Sequence, residues 1–359
     1  MAKGIGRNGE LFARLVDPAH LIRSATTAAK GKRRKEDVAR FLLDLEPECL
    51  RLAEELRSGA WTPGAYRTFR VRDPKPRLIS AAPFADRVVH HALVSVMEPC
   101  FERRFVPCSF ACRVGRGTHA ALRRAKLLAS RHRYVLRGDL VKSFPSLDHD
   151  IVKREVRRVV ADERFLAVLE RVIDGSNEQE PVFAWFPGDD LFTPTEHRRG
   201  LPIGNLTSQF LANVVLDRLD HAVMDDAGFG AYVRYCDDLL VFGDDRRLLA
   251  ALRERLVVVL ADLRLKLHER KGGLHRSTAT LPFLGFVLRK GRYRLKRASV
   301  ERATRRLTRR RKAHEAGVLS GADLTASVRA WIAHAAFGAT VGLRSQVLRR
   351  AGLYAEGLR

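Results

Sequence analysis

The stretch Arg234-Tyr235-Cys236-Asp237-Asp238-Leu239-Leu240-Val241-Phe242 decides how the chain is read. Two adjacent acids sit between apolar, β-prone flanks, which predicts a buried hairpin with the acids at its turn. Neighbouring carboxylates in apolar surroundings are costly unless a cation neutralises them, so a divalent metal is the economical explanation. Outward from there, Tyr134-Val135-Leu136-Arg137-Gly138-Asp139-Leu140-Val141 is a second apolar strand that carries an acid. Alone, Asp139 reads as a satisfied strand-end residue. With Asp237 and Asp238 it makes a trio that can hold two Mg²⁺ ions, with Mn²⁺ able to substitute, for in-line phosphoryl transfer.

Size and charge agree with such chemistry. The 359 residues suffice for two or three lobes with cores of their own. The 66 basic against 41 acidic residues leave a net charge of +25, which points to a polyanion such as nucleic acid; a merely soluble surface is the bland alternative. Five cysteines form no CxxC pair, and Cys108, Cys112 and His119 lack zinc-finger spacing. With no disulfide framework, signal peptide or long apolar run, the expected setting is a reducing cytoplasm and no membrane partner.

The rest of the chain supplies supporting elements. Residues 1–35 are polar and basic, with Gly31-Lys32-Arg33-Arg34-Lys35 read as a solvated loop or an RNA-backbone contact. Helical spacing runs from Glu36 to Ser58, split at Pro47. Tyr66 to Ile79 reads as two strands about Asp73-Pro74-Lys75-Pro76; Arg72, Lys75 and Arg77 on this flap suit a triphosphate, or else a solvated edge. Residues 84–105 form a helix, and Gly115-Arg116-Gly117-Thr118 is a weak phosphate-loop candidate with Thr118 as a helix cap. Asp148 caps a helix to Val160, and Asp189-Asp190 lie in a polar loop as solvated, noncatalytic acids. Gly200-Leu201-Pro202-Ile203-Gly204 allows close backbone approach before a helix that runs to about Val223. A helix over Arg246–Leu263, a strand at Leu265-Lys266-Leu267, a turn at Lys271-Gly272-Gly273 and an apolar hairpin at Leu281–Leu288 follow. Beyond Arg289 basic residues dominate, with helices from Val300 broken near Gly317 and Gly321.

Asp139 together with Tyr235-Cys236-Asp237-Asp238 resembles the palm of a reverse transcriptase, YCDD standing at the family's YxDD. The resemblance runs from about residue 66 to 290 through six ordered motifs. It implies an α+β, right-hand polymerase fold: fingers and a palm whose antiparallel sheet packs on helices, and a short helical thumb. The implied partition is an N-terminal helical basic segment at 1–65, fingers with part of the palm at 66–138 and 145–200, palm at 139–144 and 201–290, and a basic helical thumb at 291–359. The implied catalytic residues are Asp139, Asp237 and Asp238, with Leu140 added to the metal set. The implied nucleotide-binding set is Arg72, Lys75, Arg77, Phe144, Ile203, Gly204, Gln209 and Lys271, with Lys266 a second candidate for the lysine near the departing pyrophosphate. Phe144 falls at the steric gate, where a ring collides with a ribose 2′-OH and so selects deoxynucleoside triphosphates. Leu281–Leu288 resembles the primer grip.

Within that family, Ile203 and Ser208-Gln209 resemble the reverse transcriptases of diversity-generating retroelements. So do Gly31–Arg34, Arg77-Leu78-Ile79-Ser80, Phe110-Ala111-Cys112-Arg113, Gly117-Thr118-His119 and Trp331-Ile332-Ala333-His334-Ala335. That subgroup implies cDNA synthesis from a template-repeat RNA with misincorporation at adenines, in a bacterial or phage-infected cell. It also implies a small, basic, helical, oligomeric accessory protein as partner. Ile203 offers only packing where a Gln could brace the nascent pair, so it is expected to loosen base selection, unless it is simply core. A retron-like or group II intron-like reverse transcriptase is the competing enzyme, and a noncatalytic RNA-binding scaffold is the competing class.

Overall fold

A computed structural model describes residues 9–72, 76–289 and 292–353. Lys75 of the expected triphosphate set lies outside the described residues. The first helices are α1 (Glu10–Leu15), α2 (Pro18–Ala28), α3 (Glu36–Leu43) and α4 (Leu45–Ser58). The helices α1 and α2 fall in the stretch read as polar and basic. Their signal was local: Asp17 accepts a hydrogen bond from the Ala19 amide, with Pro18 in the first turn. Leu11, Phe12, Leu15 and Leu21 are buried, so this segment joins the main core. The break between α3 and α4 comes at Asp44, before Pro47, which the first turn of α4 tolerates.

Strands β1 (Arg67–Arg72) and β2 (Pro76–Ala81) form a two-stranded hairpin, and α5 (Phe84–Glu102) follows as a buried helix. Next come α6 (Thr118–Arg131), β3 (Tyr134–Asp139), the single turn α7 (Ser143–Ser146), α8 (His149–Arg157), α9 (Glu163–Asp174) and the turn α10 (Thr193–Glu196). The helix α11 (Leu206–His221) winds into a π turn over Ala222–Asp226, then β4 (Tyr232–Tyr235), β5 (Asp238–Gly243) and α12 (Arg246–Asp262) complete the centre. Asp148 caps α8 as expected, accepting from the Asp150 and Ile151 amides. Thr118 does not cap α6; Gly117 holds the cap position and Thr118 is the first helical residue.

With β6 (Gly273–Arg276), the central sheet has the order β4-β5-β3-β6, all antiparallel. Leu265–Leu267 is not a strand; Leu267 makes one isolated bridge to Leu140, and pairing resumes only at Gly273. Gly272 sits so close to β3 that a Cβ there would lie 2.6 Å from the Arg137 carbonyl oxygen. Both faces of this sheet are covered. Leu136, Tyr232, Leu239 and Val241 face a core built with α5, α8, α9, α11 and α12, whereas Val135, Val233, Leu240 and Phe242 face a second core. That alternation is why the strands read as near-continuous apolar runs. Each such side chain contributes roughly 1.5–3 kcal/mol on burial, which locks the register.

The second core continues into a three-stranded sheet of β7 (Leu281–Phe283), β8 (Phe286–Arg289) and β9 (Arg292–Leu295). The expected hairpin is β7–β8; β9, inside the basic stretch, was not foreseen because only Tyr293 and Leu295 turn inward. Helices α13 (Arg297–Glu315), α14 (Gly321–Ala335) and α15 (Val341–Arg350) close the chain and bury Leu307, Trp331, Ala335 and Val347 in this core. The expected α+β fold, an antiparallel sheet packed on helices with basic helices at the end, is the one observed.

Candidate active site

The register of β3 and β5 sets the site. Asp139 pairs with Asp238 across the two strands, and Tyr235 pairs with Asp238 across the hairpin, leaving Cys236 and Asp237 as the turn. Cys236 takes the left-handed conformation (φ 51°), which makes the turn tight enough to present consecutive acids. The Leu140 amide donates to the Asp237 carbonyl (3.3 Å) and the His268 amide to the Asp139 carbonyl (2.7 Å), so backbone bonds hold the loop ends together.

The three acids are unequal. Burial pushes Asp237 upward, and the Asp139 charge adds to it, against Arg77 and Lys271. Burial likewise raises Asp238, to about 6, opposed first by Arg137 and reinforced by Asp237 and Asp139. Arg137 approaches Asp238 only to 3.5 Å. Mutual repulsion of this kind marks a site short of positive charge. Lys271 Nζ donates to Asp139 Oδ2 (3.1 Å), whereas Lys266 Nζ lies over the Phe186 ring (5.2 Å). Of the two lysine candidates, Lys271 is therefore the one at the acids.

Beneath the hairpin is a residue that sequence reasoning missed. Arg234 is buried (1% exposed) and pairs with Asp220 (0%) through two bonds of 2.7 Å. The same guanidinium donates to Asn213 Oδ1 (3.0 Å), Ser109 Oγ (2.9 Å) and the Cys236 carbonyl (3.2 Å). It thus grips the turn that carries Asp237. The available signal was an arginine at the end of an otherwise apolar strand, which demands a buried acid partner. Thr118 Oγ1 also reaches the hairpin, donating to the Tyr235 hydroxyl (3.1 Å).

Several of the expected nucleotide-binding residues are tied to one another through the backbone. The Leu201 amide donates to the Phe144 carbonyl (3.0 Å), tying the half-buried Phe144 to the Pro202-Ile203-Gly204 loop. The Ser80 amide donates to the Ile203 carbonyl (3.1 Å), which joins that loop to β2. Gly204 has φ 120°, a conformation that favours glycine, and a Cβ there would press on Ile79 at 3.2 Å. Gln209 is exposed on the first turn of α11. Arg77 is exposed and its charge acts on Asp237. Arg72 opens instead onto a cavity of about 830 Å³ that it shares with Arg302, Arg305, Arg306 and Arg309 of α13.

Other candidates part company. Cys108 is fully buried, Cys112 hydrogen-bonds Gln209, and His119 stacks on Phe337 (4.6 Å), so the three do not converge. Asp189 is not solvated: Arg264 holds it through two bonds (2.8 and 2.7 Å) and also lies over Phe186 (5.1 Å). Asp190 caps the turn at Phe192 and Thr193. One ligand atom each from Asp148, Asp150 and His197 lies within 4.8 Å of the others, but Asp148 Oδ2 already meets His197 Nδ1 (2.5 Å), with Arg264 Nε at 3.8 Å. His197 and Arg264 against the buried acid make this an anchor for the 176–199 loop.

Residues 71–288 match the family described as reverse transcriptase (RNA-dependent DNA polymerase). The chain belongs to that family. It is similar to Protein YkfC of Escherichia coli strain K12, 27% identical over 285 residues, covering 68% of this chain and 71% of YkfC. It is also similar to the group II intron-encoded protein LtrA of Lactococcus lactis subsp. cremoris, 22% identical over 184 residues, covering 50% of this chain and 28% of LtrA. A shorter match, 31% over 96 residues, joins it to the mitochondrial nuclear intron maturase 1 of Arabidopsis thaliana, covering 27% of this chain and 14% of the maturase. The chain thus spans most of YkfC but under a third of the two intron proteins. No described helix is long and apolar enough to cross a membrane.

Proposed function

We propose that the chain is an RNA-directed DNA polymerase whose catalytic residues are Asp139, Asp237 and Asp238. The observation that carries this reading is the pairing of Asp139 with Asp238 beside the tight Cys236-Asp237 turn, with Lys271 on Asp139. Two carboxyls raised by burial and by neighbouring acids fit a divalent cation, so Asp139, Asp237, Asp238 and the Leu140 backbone are assigned as the holders of Mg²⁺. When bound, such ions activate the attacking 3′-hydroxyl and stabilise the leaving pyrophosphate. Arg77 and Lys271 supply positive charge on the triphosphate side, with Arg72 and Lys75 assigned to the same flap. The Phe144 ring excludes a ribose 2′-OH, and Ile203, Gly204 and Gln209 border the nascent pair. In this assignment the fingers comprise 66–138 and 145–200, the palm 139–144 and 201–290, and the thumb 291–359.

The subgroup is assigned to diversity-generating retroelements: cDNA copied from a template-repeat RNA, with errors at adenines, alongside a small basic helical accessory protein in the cytoplasm. Two of the motifs behind this assignment meet in space. His119 stacks on Phe337, just beyond the 331–335 motif, and His334 packs on Phe286 of β8 (4.9 Å). The test is extension of a DNA primer on RNA with Mg²⁺ and deoxynucleotides. Asp237→Ala is expected to abolish it, and absence of extension by the natural protein, even with RNA and partner supplied, would favour the noncatalytic scaffold. Ile203→Gln is expected to lower misincorporation opposite template adenine; an unchanged error rate sinks that role for Ile203. The similarity to LtrA and the maturase favours a second reading, an intron-type reverse transcriptase. A nearby pair of genomic repeats differing mainly at adenines decides for the first.

A further inference from the structure

The loop between α9 and α11 keeps four large apolar side chains out of the core. Phe183, Trp185, Leu191 and Phe192 are between 49% and 74% exposed. Of the four exposed Phe and Trp side chains among the described residues, three lie here. The loop is nevertheless held from below. Ala184 and Phe186 alternate with Phe183 and Trp185 and are buried, and Arg264 and Lys266 lie over the Phe186 ring. A tight turn over residues 186–189, with Gly188 at φ 90°, is closed by the Asp189 amide donating to the Phe186 carbonyl (3.0 Å) and the Phe186 amide donating to Asp189 Oδ2 (2.9 Å). The turn sets Phe183 and Trp185 on one flank and Leu191 and Phe192 on the other. Asp190 fixes the second flank by accepting from the Phe192 and Thr193 amides, and Arg199 fixes the first by donating to the Val182 carbonyl (3.3 Å). Rings of this size are strong contributors to stability when buried, so a loop that is ordered and yet leaves them bare presents them to a partner.

The charge of the loop sets the chemistry of that partner. Residues 176–196 hold five acids and no Lys, Arg or His, in a chain whose net charge is +25. Asp189 is engaged by Arg264 and Glu180 meets Lys142 (2.8 Å), while Glu178, Asp190 and Glu196 are exposed on the same loop. Stacked nucleic-acid bases need cations for their phosphates, and this segment carries none. The cations beneath it, Arg264 and Lys266, are taken up by Phe186 and Asp189. We propose that this face docks a basic partner protein. The partner lays the apolar stripe of an amphipathic helix across Phe183, Trp185, Leu191 and Phe192, and sets Lys or Arg side chains against Glu178, Asp190 and Glu196. Aromatic anchors within a charged rim are the usual anatomy of a specific interface. The small basic helical accessory protein of the subgroup reading has this chemistry, but the face is inferred from the loop alone and stands without that reading.

The experiment uses the full chain and a fluorescein-labelled helical peptide of about 18 residues, leucine on one face and lysine on the other, read by anisotropy. The natural protein is expected to bind it about tenfold or more tighter than the same peptide with glutamate in place of lysine. Phe183→Ser with Trp185→Ser is expected to weaken the lysine peptide about tenfold or more and to leave primer extension unchanged. Leu191→Ser with Phe192→Ser gives the same readout from the other flank, should the first variant disturb folding. Glu178→Gln with Glu196→Gln is expected to weaken binding about threefold and to flatten its salt dependence. Equal affinity for the lysine and glutamate peptides overturns the proposal, as does unchanged lysine-peptide affinity in both serine variants. A uridine oligonucleotide whose affinity falls in those variants while the peptide's holds overturns it in favour of single-stranded nucleic acid. Self-association of the natural protein that the variants abolish, with peptide binding unchanged, overturns it in favour of a second copy. The binding arms do not depend on polymerase activity, so the face and the polymerase reading can fail separately.

Discussion

Two antiparallel hairpins that the proposal gives to one reaction are built in opposite ways. The β4–β5 hairpin lies in a four-stranded sheet, is covered on both faces, and is pinned from below by the Arg234–Asp220 pair. The β1–β2 hairpin is a sheet of its own, and every residue of β1 is exposed. A lone two-stranded hairpin is marginally stable in water. The contrast separates two tasks. Carboxylates that repel one another need rigid support, because their proximity is itself unfavourable. Arginines that meet a substrate from solvent need reach, and gain from a flap that can adjust.

The largest expected difference between the two is in stability. Arg234→Met leaves Asp220 buried without its cationic partner, the Tyr232 hydroxyl still donating to it, and is expected to cost about 3–5 kcal/mol in chemical denaturation. Adding Asp220→Leu should recover most of that loss while extension stays impaired, since the Cys236 carbonyl has still lost its grip. Equal loss in single and double variants would mean that the pair does not support the turn. Arg77→Ala on the exposed hairpin is expected to change stability by under about 0.5 kcal/mol. It should raise the KM for deoxynucleotides roughly tenfold, a loss of about 1.4 kcal/mol. A collapse of stability with unchanged KM would reverse the roles given to the two hairpins.

A smaller effect follows from pH. Asp238 titrates near 6 in the fold without a cation, above its ordinary value of 3.8. The fold therefore binds that proton more tightly than the unfolded chain does. Its stabilising contribution is full below the unfolded value and is lost as pH rises through about 6. With the side chain 27% exposed, the loss amounts to roughly 1–2 kcal/mol. Asp238→Asn should remove this slope between about pH 4 and pH 7, read as the difference in denaturation midpoints from the natural protein, and added Mg²⁺ should flatten it too. An identical slope in the variant would place the raised titration elsewhere.

Much of the central sheet was legible because its physics is local. Alternation about Asp237-Asp238, an acid closing the Tyr134–Asp139 strand, and the cap at Asp148 each follow from neighbours in sequence. What was missed depends on distant partners. Arg234 reads as an ordinary charged strand residue until Asp220, Asn213 and Ser109 are placed around it. Asp189 reads as solvated until Arg264 arrives. The α1 and α2 helices were hidden by polar composition, although Leu11, Leu15 and Leu21 already carried a helical face.

The most direct test of the central claim compares the natural protein with Asp238→Asn in RNA-templated primer extension and in denaturation at neutral pH. Three acids held in register, at a cost in stability, predict opposite changes. Extension should fall by about 10³-fold or more, while the cation-free fold gains roughly 1–2 kcal/mol. An Asp238→Asn protein that extends primers at the natural rate, or that loses activity only because it unfolds, would contradict the account.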